Sequence, residues 1–201
     1  MKETPSQLTL PSYLLNFPFT LSTKDPNNIW MKEMKEDELE INRPKAYKQF
    51  MDLYNFVAGG SLVYLLPSAG DFQDQVYVAN LGIQLSHLKD SNKIILSNFT
   101  SEPRQGEEAV GRDFFELMGY ETHKSPFKFE GEADIKYLKN NVYIGGYGIR
   151  SQKETYEWME KQFGMEVIKL EMPEEYLYHL DCSIFPVTNE KTMVCTLLYT
   201  P

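Results

Sequence analysis

The stretch Phe129–Arg150, FEGEADIKYLKNNVYIGGYGIR, decides how the rest of the chain is interpreted. Two short apolar runs in it meet at Asn140–Asn141 and predict a hairpin, which ends near Arg150. Acidic side chains cluster before the hairpin, namely Glu130, Glu132 and Asp134. Acids at the mouth of a hairpin, with an arginine at its far end, suit a small cationic ligand that also carries a carboxylate. A solvated loop followed by an ordinary hairpin is the alternative interpretation.

The composition is typical of a soluble globular protein. The chain has 201 residues, of which 42% are hydrophobic and 24% are charged. No apolar run approaches the roughly 20 residues needed to span a bilayer. Prolines interrupt the apolar residues of the N-terminus, so we expect no signal peptide and a cytoplasmic location. The length predicts one domain over residues 1–201.

The charge and the cysteines exclude several classes of function. The chain carries 20 Lys and Arg against 29 Asp and Glu, for a net charge of −9, and no basic cluster stands out. Nucleic acid is therefore not an expected partner, whereas a cationic small molecule is compatible with the charge. Cys182 and Cys195 are too few for a disulfide framework and lack the spacing of a zinc site, so we predict no metal and no cofactor.

A repeated pattern of elements is the main architectural signal. Helices are predicted to start near positions 44, 107 and 152, and a strand, a polar loop and a pair of strands follow each of them. In the first copy Val76–Asn80 is predicted as a strand. In the third, Cys182–Val187 is predicted to pair with Thr192–Leu198. Such units cannot bury their apolar faces alone, so we expect them to close around an axis or to stack in a row.

The polar motifs occupy equivalent loops of the repeat: Asp71–Asn80, Phe129–Asp134 and His179–Asp181. Units related by rotation would bring these loops to one end of the axis. Carboxylates there suit a guanidinium group, and nearby arginines suit a carboxylate at the ligand's other end. The same residues also have plainer interpretations: Asp74 as a turn residue, Arg104 as a loop charge, Tyr176 and Tyr178 as packing, and His87 and His123 as ordinary histidines.

These residues carry a family resemblance. The chain resembles the guanidino-group-modifying superfamily, which includes arginine deiminases, dimethylarginine dimethylaminohydrolases and amidinotransferases, and is most similar to its arginine dihydrolase-type branch. The segments that carry the resemblance occur in the family's order across residues 10–198: NNIWM, DQVYVANLGI, EPRQGEE, FEGEAD, GGYGIRS and YHLDCSIFP. The resemblance implies an α/β pentein propeller, built from repeated ββαβ units around a pseudo-fivefold axis and incomplete at its C-terminus.

The resemblance also implies a role for individual residues. Glu130 is similar to the carboxylate that binds the guanidinium and assists proton transfer, and His179 to the general acid/base. The remaining positions resemble substrate contacts: Asn28, Asp74, Asn80, Arg104, Arg150 and Asp181. In such enzymes a cysteine thiolate attacks the guanidinium carbon, and water or an amine then takes the amidino group. The implied partner is a small cationic guanidino compound, arginine or a methylated arginine.

The chain departs from the family at the nucleophile, which in the family is a cysteine well beyond the HLD segment. We expect Cys182 and Cys195 to be buried, inert strand residues, and the chain to lack the C-terminal part. An open ring would expose apolar surface and favour a homo-oligomer or low stability. Hydrolysis of a guanidino compound is the leading hypothesis. The alternatives are an inactive pentein-like binding protein, an amidinotransferase that uses an amine acceptor, and an unrelated stacked α/β array.

Overall fold

The computed structural model describes residues 10–88, 92–188 and 190–195. It contains four α-helices and ten β-strands in these ranges. The helices are α1 (Ile29–Glu33), α2 (Arg43–Ala58), α3 (Glu107–Leu117) and α4 (Lys153–Phe163). The strands are β1 (Ser12–Asn16), β2 (Leu62–Leu66), β3 (Gly82–Gln84), β4 (Lys93–Leu96), β5 (Glu121–Lys124), β6 (Ile135–Lys139), β7 (Val142–Gly148), β8 (Glu166–Met172), β9 (Ile184–Thr188) and β10 (Lys191–Val194).

The three long helices begin where the sequence predicts them. The Asn42 side chain caps α2 by accepting a hydrogen bond from the Lys45 amide at 3.0 Å, and a proline lies in the first turn. Gly164 ends α4 with a left-handed φ of 65°. The predicted apolar face of α2 is only partly buried, because Phe50 is its one buried residue whereas Leu53 is 49% exposed.

One sheet topology occurs twice. In the first case β3 pairs antiparallel with β4, and β5 returns after α3 to pair parallel with β4. In the second, β6, β7 and β8 repeat this arrangement around α4. The strands β1 and β2 form a parallel pair around α2, and β9 and β10 form an antiparallel hairpin. These four sheets are separate in the described ranges, so closure around a pseudo-fivefold axis stays a prediction, as does the single domain over residues 1–201.

The structure corrects two predicted strands. Val76–Asn80 is not a strand, because the chain turns there. The Tyr77 amide donates a hydrogen bond to the Asp74 carbonyl, and the Asn80 amide donates one to the Tyr77 carbonyl. Cys182 belongs to a 3-10 turn that precedes β9, and it is exposed, not buried in a strand. The predicted strand Thr192–Leu198 begins within β10, while residues 196–198 lie outside the described residues.

The main core lies between the two three-stranded sheets and α4. Ile95, Phe129, Ile135, Tyr143 and Tyr156 belong to it and are fully buried or nearly so. The Tyr156 hydroxyl donates to the carbonyl of Asp134 at 2.9 Å, which ties α4 to the turn that carries the acidic residues. This core therefore fixes the backbone of the acidic loop. In the described part of the chain, no helix is long and apolar enough to cross a membrane.

Candidate active site

The three polar loops meet at one cavity of about 430 Å³. Seven of the predicted site residues line it: Asn28, Asp74, Asn80, Arg104, Arg150, His179 and Asp181. The other predicted residue, Glu130, is fully buried and lies behind this wall in contact with two of its members. Much of the remaining wall comes from residues 21–41, where Trp30 donates a hydrogen bond to the Tyr176 carbonyl at 3.1 Å.

His179 is the centre of the polar network. Its Nδ1 lies 2.7 Å from Asp134 Oδ1, and its Nε2 lies 3.1 Å from the Nδ2 of Asn80. Because a carboxylate accepts and an amide nitrogen donates, the neutral ring carries its proton on Nδ1 and accepts from Asn80 at Nε2. Glu130 Oε2 lies 3.5 Å from the same Nε2. The lone pair of Nε2 is therefore occupied by the Asn80 side chain, and both residues line the cavity.

A sharp turn brings two of the three carboxylates of the acidic loop, those of Glu130 and Asp134, to this histidine. Gly131 adopts a φ of 64° in the 3-10 turn Gly131–Ala133. A Cβ there would lie 2.6 Å from the Ala79 carbonyl oxygen, so only glycine lets the loop pack against the Asn80 segment. Ser151 closes the turn, since its hydroxyl donates to Asp134 Oδ2 at 2.6 Å and accepts from the Glu130 amide at 3.0 Å.

Both oxygens of Glu130 accept hydrogen bonds from the protein. Its Oε1 accepts the backbone amides of Thr100 and Ser101, each at 3.1 Å. Its Oε2 accepts Nη1 of Arg150 at 3.1 Å. Hydrogen bonds from a charged donor are stronger than neutral ones, so these contacts hold the Glu130 carboxylate in one position.

The two predicted carboxylate-binding arginines have different surroundings. Arg104 forms a buried ion pair with Glu107, with Nε at 3.0 Å and Nη2 at 2.7 Å from its oxygens. Desolvation raises the pKa of Glu107 even though Arg104 opposes the shift.

Arg150 donates hydrogen bonds to Glu130 and, from Nη2, to the Asn27 carbonyl at 2.7 Å. Its guanidinium carbon lies 4.8 Å from the centre of the Tyr178 ring.

The acids that face the cavity directly are Asp74 and Asp181. Asp74 Oδ2 accepts from the Asn27 side chain at 2.6 Å and from Gln73 at 3.2 Å. Asp181 is exposed to the cavity, and desolvation raises its pKa, although Lys136 and His179 oppose this. Asn28 caps α1 through a 2.9 Å bond from the Met31 amide, so part of its hydrogen-bonding capacity serves the backbone.

Several residues of the network have no role assigned from the sequence. Asp134 lies in the predicted acidic cluster, yet its bond to His179 depends on the direction of the turn. Ser151, Asn27 and Tyr178 also contact the predicted site residues. Ser151, Asn27 and Tyr178 lie in the GIRS, NNIWM and YHLD segments. Their position beside the predicted site residues of those segments is the sequence signal that points to them.

Neither cysteine has the surroundings of an activated nucleophile. Cys182 lines the cavity, but desolvation raises the pKa of its thiol, and Asp181 adds to the shift. Cys195 is half-buried and does not line the cavity. Among the described residues, no group of His, Cys, Asp and Glu side chains has the arrangement of a metal site.

Comparisons with known proteins identify relatives of this chain. No family model matches it. It is 30% identical over 151 residues to the bifunctional arginine dihydrolase/ornithine cyclodeaminase AgrE of Nostoc sp., which covers 74% of this chain and 21% of that protein. It is 24% identical over 158 residues to the N(G),N(G)-dimethylarginine dimethylaminohydrolase of Mycobacterium tuberculosis, covering 78% of this chain and 49% of that protein.

The solved structures agree with these relatives. The N-terminal domain of ArgZ, an arginine dihydrolase from cyanobacteria, matches with a TM-score of 0.81 and 26% identity over 90% of this chain and 65% of that one. The chain is therefore a homologue of the guanidino-group-modifying enzymes, with an α/β fold that matches their pentein structures. Its relatives within that class include the cyanobacterial arginine dihydrolases, and it spans about a fifth of their full length.

Proposed function

We propose that this chain provides the substrate-binding and acid–base part of an enzyme that hydrolyses a guanidino compound, arginine or a methylated arginine. The observation that carries the proposal is the bonding of His179 to both Asp134 and Asn80 at a cavity that two arginines also line. The homology to guanidino hydrolases supports the same class of substrate.

The proposed chemistry follows the positions of these groups. A thiolate attacks the guanidinium carbon, and the C–N bond to the leaving group breaks. His179 in its protonated form gives the leaving nitrogen its proton, which leaves an S-alkyl thiouronium intermediate. In its neutral form it takes a proton from the water that attacks the same carbon, after which the C–S bond breaks and the thiolate is released. The cavity acids Asp74 and Asp181 balance the positive charge of the substrate.

The attacking thiolate is, in this proposal, supplied from outside the sequence printed here. The raised pKa of Cys182 supports this assignment, because it disfavours the thiolate form. The same observation favours a second candidate function, in which this chain binds a guanidino ligand without turning it over.

One experiment separates the candidates. The purified chain is incubated with arginine while ammonia, citrulline and ornithine are followed, and arginine binding is measured by calorimetry. Turnover that begins when a small thiol such as dithiothreitol is added supports the hydrolase, and binding that Glu130→Ala abolishes, without turnover even in the presence of the thiol, supports the binding protein. Asp113→Ala on the exposed face of α3 is the control. No binding and no product would refute both, and turnover that Cys182→Ser abolishes would refute the external thiolate.

A further inference from the structure

A second cavity, of about 280 Å³, lies behind the turns of the candidate active site. In the part of the chain that the structure describes, the two cavities share no lining residue. The turn Gly131–Ala133 packs against the chain at Asn80, and these two segments form a partition. Asn80 and Ala133 line the candidate active site. Their neighbours Ala79 and Glu132 line the second cavity, on the other side of the partition.

The wall of the second cavity is mostly apolar. It is built from β1, β3, β4, α3 and the segment before β3, and its apolar side chains include Leu14, Leu81, Ile83, Ile94, Phe115 and Tyr120. Leu81, Ile83 and Ile94 are each less than 5% exposed, so their positions are fixed by the core. Such a wall favours contact with a hydrocarbon chain and offers few partners to a strongly hydrated group.

Glu132 is the one charged residue that lines this cavity among the described residues. It belongs to the acidic cluster of the sequence, but the network at His179 uses the other two acids of that cluster, Glu130 and Asp134. Within the described ranges the Glu132 carboxylate has no hydrogen bond or ion pair. Its side chain is accessible to solvent, so a ligand can reach it.

The electrostatic surroundings of Glu132 favour a cation beside it. The protein around the carboxyl group desolvates it and raises its pKa, and Lys136 only partly opposes this shift. A positive charge in contact with the carboxylate replaces the hydration that the ionised form has lost. The cavity therefore offers a partner for one positive charge next to a surface for an apolar chain.

We propose that the second cavity binds a short aliphatic ammonium compound, whose charged group pairs with Glu132 and whose hydrocarbon chain lies on the apolar wall. An ammonium is a compact charge that one carboxylate can pair, whereas a guanidinium is a planar fork that needs several acceptors. The volume lies just below the range of about 300–1,000 Å³ for drug-sized ligands, so it suits a chain of about four to six carbons. This site is separate from the one in the proposed function and does not rest on it.

Calorimetry with n-butylammonium chloride tests the site on the wild-type chain. Ammonium chloride lacks the hydrocarbon chain and 1-butanol lacks the charge, so each should bind at least about tenfold more weakly than butylammonium. Arginine should not compete, because the two cavities share no lining residue in the described ranges. Saturable binding with this order of affinities supports the inference, whereas no saturable binding, or competition by arginine, overturns it.

Three variants and one spectrum locate the ligand. Glu132→Gln should weaken butylammonium binding at least about tenfold. Asp181→Asn in the candidate active site, and Glu157→Gln on the exposed face of α4, should leave the affinity unchanged. In the wild-type chain, nuclear Overhauser effects should connect the butyl protons to the rings of Phe115 and Tyr120.

Two outcomes of these measurements would overturn the inference. One is full butylammonium affinity in Glu132→Gln, and the other is a set of nuclear Overhauser effects to the Tyr178 ring of the candidate active site instead. None of these readouts depends on whether the chain binds or turns over arginine. Failure of this inference and failure of the proposed function are therefore distinguishable.

Discussion

Asp181 combines exposure to the cavity with a raised pKa, because the surrounding protein desolvates it. In the folded chain this carboxyl therefore keeps its proton to a higher pH than in the unfolded chain. Its contribution to stability is fully present below the ordinary pKa of an aspartate and is lost as the pH rises through the folded pKa. Above that folded pKa the ionised Asp181 lowers the stability of the fold and adds negative charge to the cavity.

Asp181→Asn should therefore raise the free energy of unfolding at pH 7, by less than about 1 kcal/mol because solvent screens the site. The difference should shrink as the pH falls toward 4. The substitution should also weaken arginine binding, since the ligand's positive charge loses a negatively charged partner. Urea unfolding at several pH values and calorimetry check both effects. A variant less stable than wild type at pH 7 would contradict the account.

Asp134 selects the tautomer of His179, since its Oδ1 accepts from Nδ1 at 2.7 Å. Asp134→Asn keeps the size of the side chain and removes the charge. We expect the imidazole to lose its single tautomer and the fold to lose about 1–3 kcal/mol of stability. Nitrogen-15 NMR of the histidine ring measures the tautomer directly.

The matched control is Asp52→Asn, which removes an exposed carboxylate on α2 whose one ion pair, with Lys48, is also exposed. It should leave both the tautomer and the stability unchanged. An unaltered His179 spectrum in Asp134→Asn would show that another group fixes the ring.

At the scale of elements, the turn Gly131–Ala133 joins two loops of the site. Gly131→Ala would place a methyl group 2.6 Å from backbone atoms of Ala79 and Asn80, in addition to the cost of a left-handed φ. We expect a loss of about 3 kcal/mol or more, and loss of arginine binding, because the shift moves Glu130 and Asn80 apart. Urea unfolding and calorimetry measure the two effects.

Gly164 separates the two causes. It has nearly the same φ, 65°, but a Cβ added there meets no atom within 4 Å. Gly164→Ala should therefore cost only about 1 kcal/mol of conformational strain and leave binding unchanged. Equal losses in the two variants would show that strain alone, and not the close approach of the loops, governs Gly131.

The elements also show what the sequence could and could not predict. Helix caps and apolar spacing located α2, α3 and α4, because those signals are local. Val76–Asn80 is predicted as a strand, but the segment turns, and the Asn80 carbonyl accepts a hydrogen bond from the Ser97 hydroxyl. That partner is distant in sequence and cannot be inferred from local pattern.

For the site, the repeat indicated which loops should be close, and the structure brings Asn80, Asp134 and His179 into contact. The direction of each side chain could not be predicted from the sequence, because it depends on the φ of Gly131 and on the hydrogen bonds of Ser151. The family resemblance assigns Glu130 to the ligand, whereas its oxygens accept hydrogen bonds from Arg150 and two amides. Roles of this kind depend on hydrogen bonds between distant segments.

At the scale of the whole molecule, the hairpin of β9 and β10 differs from the other two hairpins. Those bury one face and receive a third, parallel strand after a helix. In the described residues β10 pairs only with β9. Phe185, Val187 and Met193 share one face and are 52–66% exposed, an arrangement typical of a surface that associates with another protein.

We therefore expect the isolated chain to self-associate through this face as its concentration rises. Phe185→Lys or Met193→Lys should shift the chain toward monomer, because a charge opposes burial of the face. Leu117→Lys, which replaces a 90% exposed leucine on α3, should leave the association unchanged. Sedimentation velocity over a range of concentrations measures the distribution. Association that persists in both hairpin variants would place the contact elsewhere on the molecule.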